Sequence, residues 1–482
     1  MLFTSLEFLV FLPLALALYA ALPPRYRWLA LLAASHVFYG ASKPANLLYL
    51  GGMTLVVLAC GRALESAASE TARRWILAAG LAAALGSLVA FKFYDFIAGE
   101  LQRGAGIALP RLGLTAPAGY SFYAFSAASY LVDAFRRALP QAGHAGHVAL
   151  YLAHFPKILA GPIERATTFL PQAVAAVSAS PEQLVLGSQL FLWGLVKKVL
   201  IADNLAPLVD RTFAIAAYAT PVDLALSVYF FAFQIYCDFS GYTDMAIGVS
   251  LLFGLKLMDN FRRPYHSRSP AEFWSDRWHI SLAHWFRDYL YIPLGGSRVG
   301  QLRHYLNVMA VFIVSGMWHA GLGYGVGWTF LAWGILNGAY VWAGLASAPM
   351  WKRLGEKLPR VAASQAFAVL RVLLTFHLIA ASWIFFRARS LEDAWHVIRK
   401  LATRAAEIPP LLAKYPFTPD HYTAFVLIVA LVAIEIADER RSIFERLAAA
   451  PVALRWATCY LAIFALLLFG RWQAHEFIYM QF

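Results

Sequence analysis

The chain carries about twelve separate apolar runs, and this density limits its folding more than any single motif does. They lie near 6–22, 28–40, 47–64, 75–97, 120–135, 184–201, 224–239, 305–318, 328–345, 367–386, 422–437 and 456–469. A bilayer-spanning helix needs roughly 17–25 predominantly apolar residues. Hydrocarbon also leaves no water to satisfy exposed backbone groups, so such runs become helices. Of the 482 residues, 60% are hydrophobic and only 14% charged. That is too little charge to clothe a soluble globule of this size. The sequence therefore predicts an all-α, polytopic membrane bundle of about ten to twelve spans, the shorter runs being re-entrant, tilted or interfacial.

The first apolar run follows Met1 at once, contains Glu7 and lacks a basic leader or a small-residue cleavage site. It is expected to stay as a helix. No long Pro/Gly/Ser linker, low-complexity tract or fixed-period repeat interrupts the chain, so residues 1–482 are expected to form one integral-membrane domain. Cys60, Cys237 and Cys459 each sit in an apolar run without ligand spacing, which predicts buried thiols rather than disulfides or metal ligands. A formal charge of +13 suggests nucleic acid at first sight. Its Lys and Arg gather between spans, at 262–263, 352–357 and 440–441, and anionic lipid headgroups and the positive-inside bias account for that placement. Membrane lipid, not nucleic acid, is the expected partner.

Four polar islands break the apolar pattern. The first is Pro117-Ala-Gly-Tyr-Ser-Phe-Tyr-Ala-Phe-Ser126, continuing through Asp133 to Arg136. The second, from His154 to Arg165, puts Pro and Gly where a helix should continue. Such backbone is tolerated at membrane depth only when buried in protein or lining a cavity, and a re-entrant wall is expected. The third, from Gln234 to Ala246, holds Asp238 and Asp244 among apolar residues, at roughly 2.5–3.5 kcal/mol each on insertion scales. Six residues apart on a helix they do not share a face, so a structural tie to Lys, Arg or backbone is expected rather than an acid/base pair. The fourth runs from Asn260 to Arg303; its 273–291 part has the composition of an interfacial or broken helix, ended by the turn residues Pro293-Leu-Gly-Gly296.

His319, in Ser315-Gly-Met-Trp-His-Ala-Gly321, is an ionisable side chain in an apolar run and so a functional-site hypothesis. A neutral imidazole can accept the proton of an attacking hydroxyl, as acyl transfer requires. A hydrogen-bonded core histidine is the competing explanation. Glycines at 316, 321, 323, 325 and 327 suggest close backbone approach by a ligand or a neighbouring helix. His279 lies in Arg277-Trp-His-Ile-Ser-Leu282. With His284 it is spaced i,i+5, which fails the i,i+4 pattern of a helical metal pair, and no metal is expected. Ser315 could share a face with His319 but lacks a nucleophile elbow. No signature of a metalloprotease, serine hydrolase, P-loop or dinucleotide site is present.

Taken together, Phe3-Thr-Ser-Leu-Glu-Phe-Leu-Val-Phe-Leu-Pro13, Leu159-Ala-Gly-Pro-Ile163, Asp238-Phe-Ser-Gly-Tyr-Thr-Asp-Met-Ala-Ile-Gly248, Arg277-Trp-His-Ile-Ser-Leu282, Arg287-Asp-Tyr-Leu-Tyr-Ile-Pro-Leu-Gly-Gly296, Ser315-Gly-Met-Trp-His319 and Trp383-Ile-Phe-Phe-Arg-Ala388 resemble the membrane-bound O-acyltransferase family. Within it they are similar to the bacterial branch concerned with O-acetylation of alginate, peptidoglycan and cellulose. The resemblance implies helices around a central tunnel, His319 as the catalytic histidine and His279 as its partner. It also implies a cytoplasmic acyl donor, acetyl-CoA as substrate rather than a bound cofactor, in a bacterial inner-membrane protein. A separate periplasmic O-acetyltransferase would pass the group to a polysaccharide such as alginate. The chain departs from the family pattern at Ser275-Asp276, in the long stretch 320–327, and at Asn337, where relatives often carry a third histidine. Two other functions remain open at this point: a transporter or flippase whose islands line a path, disfavoured by the absence of repeats, and an acyltransferase for D-alanyl or longer acyl groups.

Overall fold

The computed structural model describes residues 1–139, 144–175, 177–320, 327–440, 442–472 and 477–478. Every extended element among them is helical, and the only β pairing is an isolated bridge between Phe261 and Trp278. Eight helices among the described residues are long and apolar enough to cross a membrane: Asn46–Ser66, Glu70–Lys92, Pro181–Ala214, Pro221–Leu252, Trp328–Lys357, Gln365–Arg387, Pro419–Glu439 and Val452–Phe469. The chain is an all-α, polytopic membrane protein.

The count falls below ten to twelve because four of the predicted runs fold as helices of another kind. Leu6–Ala21, Arg27–Gly40 and Tyr120–Phe135 have 16, 14 and 16 residues. At 1.5 Å per residue they reach about 21–24 Å, short of a hydrocarbon core of roughly 30 Å. Gln301–His319 is long enough, but Gln301, Arg303, His304 and Asn307 make its first two turns polar. Trp328–Lys357 differs in the opposite way. Its 30 residues extend about 45 Å, so the basic residues of 352–357 occupy the last turns of a helix rather than a loop.

The chain divides into two compact units. The first comprises Met1–Val196, Gly241–Asp259 and Trp472–Met480. Its centre is Tyr120–Phe135, of which 13 residues are buried, so an apolar run of that length here serves protein packing rather than lipid contact. Gly187 and Gly248 face one another so closely that a Cβ on either would strike the other's carbonyl oxygen, and Gly194 stands likewise against Gly241. This is the small-residue crossing by which membrane helices approach each other. The second island lies here: helices Ala145–Ala153 and Phe155–Ile158 give way to non-helical backbone, and residues 154–164 are all buried. His154 Nε2 pairs with Ser250 Oγ at 2.8 Å, and Glu164 accepts from Met258 N–H and from Thr168 Oγ1. Irregular backbone at this depth is wrapped in protein, as the Pro/Gly pattern required.

The second unit comprises Lys197–Ser240 and Asn260–Arg471. Helices Gln301–His319 and Trp328–Lys357 pack tightly against each other through Gly316 and Gly334, whose Cα atoms are close enough that a Cβ on Gly316 would meet Phe330 O at 2.5 Å and Gly334 Cα at 3.3 Å. The fourth island forms a helix broken twice by wide turns, over Phe273–Arg277 and Arg287–Tyr291, with Ile280–Phe286 between them. Gly295 and Gly296 then reverse the chain at φ 105° and 58°. Asp238 makes the structural tie expected of it: Lys198 Nζ lies 2.6 Å from Asp238 Oδ1 and 2.9 Å from Asp203 Oδ1, all three side chains buried. Cys237 is buried, and Cys60 and Cys459 are partly buried free thiols.

Candidate active site

A cavity of about 250 Å³ lies wholly within the second unit, bounded by the broken helix, by Gln301–His319 and by Trp328–Lys357. Its wall is largely aromatic and aliphatic, including Trp274, Trp278, Leu282, Phe286, Val308, Val311, Phe312, Trp333 and Val341. The functional groups in that wall are few: His279, His319, Ser315, Ser275, Arg287 and Tyr291. A mostly apolar concavity with a small number of polar groups is the usual form of a small-molecule site.

His319 is the last residue of Gln301–His319 and is 4% exposed. Three aromatic side chains box the imidazole: the Trp333 and Phe386 rings each lie 5.2 Å away edge-on, and Trp318 lies at 4.6 Å. The tight helix crossing at Gly316, one turn earlier, sets the position of this helix end. Of the two explanations for Gly316 in the sequence, a neighbouring helix is the one observed; residues 321–326, with Gly321, Gly323 and Gly325, lie outside the described residues.

His279 reaches the same cavity from the broken helix. It occupies the left-handed region, φ 45° and ψ 52°, immediately before Ile280–Phe286. A non-glycine residue there pays roughly 1–2 kcal/mol of steric strain, and such strain concentrates at functional sites. Asn260 holds it in place from both sides. The Asn260 carbonyl accepts from Ile280 N–H at 2.9 Å, and the Asn260 side-chain oxygen lies 3.0 Å from His279 Nδ1, 3.2 Å from Ser281 N and 2.9 Å from Ser281 Oγ. Phe239 packs edge-on to the ring at 4.8 Å. Burial alone holds the imidazolium form of His279 well below the usual histidine range, keeping the ring neutral.

The tryptophan wall is itself pinned. Trp274 Nε1–H donates to Asn337 Oδ1 at 3.1 Å, and Asn337 Nδ2 donates to Trp333 O at 2.8 Å. Asn337, the position noted for its departure from the family pattern, thus orients the Trp274 ring in the cavity wall and is itself anchored on the backbone of the helix that carries Trp333.

The two histidines chosen from sequence line one cavity, and Ser315 joins them. His284, Asp238 and Asp244 are not in its wall. Sequence reasoning passed over Asn260, Trp333 and the support given by Asn337. Asn260 had a usable signal as the residue opening the fourth island, a buried amide beside a buried histidine being a common orienting partner.

The membrane-bound O-acyltransferase family model matches residues 67–383. The chain is 36% identical to the probable alginate O-acetylase AlgI of Azotobacter vinelandii over 404 residues, covering 82% of this chain and 77% of that protein. It is 37% identical to the probable alginate O-acetylase AlgI of Pseudomonas aeruginosa over 404 residues, 82% of this chain and 74% of the relative. The peptidoglycan O-acetyltransferase of Helicobacter pylori is 33% identical over 353 residues, 68% of this chain and 64% of that protein. With the family model spanning most of the chain and these relatives covering over two thirds of it, this multi-pass membrane protein belongs to the membrane-bound O-acyltransferase family and is an O-acyltransferase.

Proposed function

We propose that the protein moves an acetyl group from a cytoplasmic thioester, acetyl-CoA, towards O-acetylation of an extracytoplasmic polysaccharide such as alginate, with His319 as general base and His279 assisting. The observation that carries this reading is the presence of both histidines in the wall of one cavity. The names of the relatives support an acetyl group and a polysaccharide acceptor. The reaction breaks the thioester C–S bond and forms an ester C–O bond. The hydroxyl proton passes to the imidazole, and the thiolate leaves with a proton.

The chain's own contribution is positional and electrostatic. The largely apolar wall disfavours water beside the activated acyl group, which water would otherwise hydrolyse. A neutral imidazole held among aromatic rings accepts the proton, and such base catalysis supplies about 10²–10⁴-fold. Holding donor and acceptor together supplies the rest through proximity. The protein works in the bacterial inner membrane, and a periplasmic O-acetyltransferase completes delivery to the polysaccharide.

The test compares polysaccharide-linked acetate, released by mild base, in cells carrying wild-type protein or His319→Ala at matched membrane levels. Loss of nearly all acetate in the variant is expected. Unchanged acetate removes His319 as the base.

A further inference from the structure

We infer that Asn260 is a positioning residue for the reaction: its side-chain oxygen fixes His279 as the Nδ1–H tautomer and thereby makes Nε2 the proton-accepting nitrogen. This rests on the reading of His279 as part of the acyl-transfer machinery.

The argument starts from the orientation of the amide. Asn260 Oδ1 lies 3.2 Å from the Ser281 backbone nitrogen, which can only donate. An amide turned the other way would set NH₂ against that N–H, so the atom there is oxygen. Ser281 Oγ–H adds a second donor to the same oxygen at 2.9 Å. An oxygen has no proton to give, and His279 Nδ1 stands 3.0 Å from it. Nδ1 therefore donates, and in a neutral imidazole the lone pair is left on Nε2.

The surrounding geometry holds this arrangement rigidly. Arg262 N–H donates to Arg277 O and Ile280 N–H to Asn260 O, so the segment carrying Asn260 is hydrogen-bonded on both sides of the His279 turn. The left-handed backbone at His279 brings Nδ1 to the same acceptor as the N–H of Ser281, two residues on. An amide, rather than a carboxylate, suits the role: it selects the tautomer without adding a charge that would stabilise imidazolium.

Titratable groups lie on several of the elements packed around this ring. His319, Arg287 and Tyr291 share the cavity wall. Asp238, beside Phe239 on Pro221–Leu252, is paired with Lys198. Arg277, two residues before His279, is paired with Glu272 and Glu439. Burial is the sole cause of the lowered imidazolium stability.

The experiment measures transfer of labelled acetyl from acetyl-CoA into polysaccharide by membrane vesicles from the native host, as a function of pH, for wild type, Asn260→Asp, Asn260→Leu and His279→Gly at matched protein levels. Asn260→Asp keeps every accepted hydrogen bond but places a carboxylate on Nδ1–H, so the imidazolium form of His279 is stabilised and, as pH falls, its neutral assisting form is lost at a higher pH than in wild type. Its acidic limb is expected to move up by about one to three pH units. Asn260→Leu, with similar volume and no acceptor, is expected to slow transfer by about ten- to a hundredfold, the usual cost of removing a histidine's outer hydrogen-bond partner. A limb in Asn260→Asp that coincides with wild type overturns the inference, as does a wild-type rate in Asn260→Leu. If Asn260→Leu does not accumulate, the Asn260→Asp profile alone decides. His279→Gly separates the two readings: wild-type transfer there removes His279 from the machinery, whereas an inactive His279→Gly with an unshifted Asn260→Asp limb removes only Asn260.

Discussion

At the residue scale, His279 combines a strained backbone with an imidazole in the cavity wall, and the two can be separated by substitution. Glycine populates the left-handed region freely, whereas alanine retains the clash of its Cβ, worth about 1–2 kcal/mol. His279→Gly is therefore expected to melt higher than His279→Ala by the equivalent of about 1 kcal/mol in detergent, while both lose acetyl transfer by about 10² or more. Equal melting temperatures would show that the turn carries no strain; retained transfer in both would show that the ring is dispensable. The two histidines were legible in the sequence because an ionisable group in an apolar run and a dense polar island both stand out. The Asn260–Ser281 contact was not, since 21 residues separate the partners and only the fold closes that loop. Gly316 was equally ambiguous in one dimension: a ligand and a helix both require a missing side chain, and only the position of Gly334 decides between them.

At the element scale, the helix Pro181–Ala214 is interrupted by a wide turn over Val196–Ala202, and Lys198 in that turn lies between the carboxylates of Asp203 and Asp238. Removing one partner of a buried ion pair leaves an uncompensated charge and costs about 3–5 kcal/mol, whereas replacing the whole group by neutral residues is often near-neutral. Lys198→Met is expected to lower thermal stability in detergent by that amount. Combining it with Asp203→Asn and Asp238→Asn is expected to restore most of it. A Lys198→Met protein as stable as wild type would show that the cluster is hydrated rather than buried. The carboxylate at Asp238 could be read from sequence as a tie in search of a partner. The partner's identity could not, because Lys198 lies 40 residues away in a run that reads as an unbroken span. Apolar runs likewise conceal helix length: Tyr120–Phe135 is as hydrophobic as a span, yet it is 16 residues long and mostly buried within its unit.

At the scale of the whole molecule, the eight long apolar helices make a claim about the bilayer that the three cysteines test without altering the protein. Cys60 lies in Asn46–Ser66, Cys237 in Pro221–Leu252 and Cys459 in Val452–Phe469. If those helices cross, each thiol sits at least six residues from either end of its helix, where a charged reagent must enter hydrocarbon or the protein interior at a penalty of several kcal/mol. Sealed membranes treated from either side with a membrane-impermeant, sulfonated maleimide are therefore expected to leave all three thiols unmodified, and the full chain denatured in detergent is expected to take up three labels by intact mass. Labelling of Cys60 or Cys459 in sealed membranes would place that helix outside the hydrocarbon. Among the described helices Val452–Phe469 has the least buried apolar window, 6%, and depends most on lipid or a partner chain for cover, so Cys459 is the most exacting of the three probes. The helices could be found from the sequence because hydropathy reports each segment's own burial. Which helices pack against protein and which against lipid depends on pairings such as Gly187 with Gly248 and Gly316 with Gly334, and a single residue string does not show them.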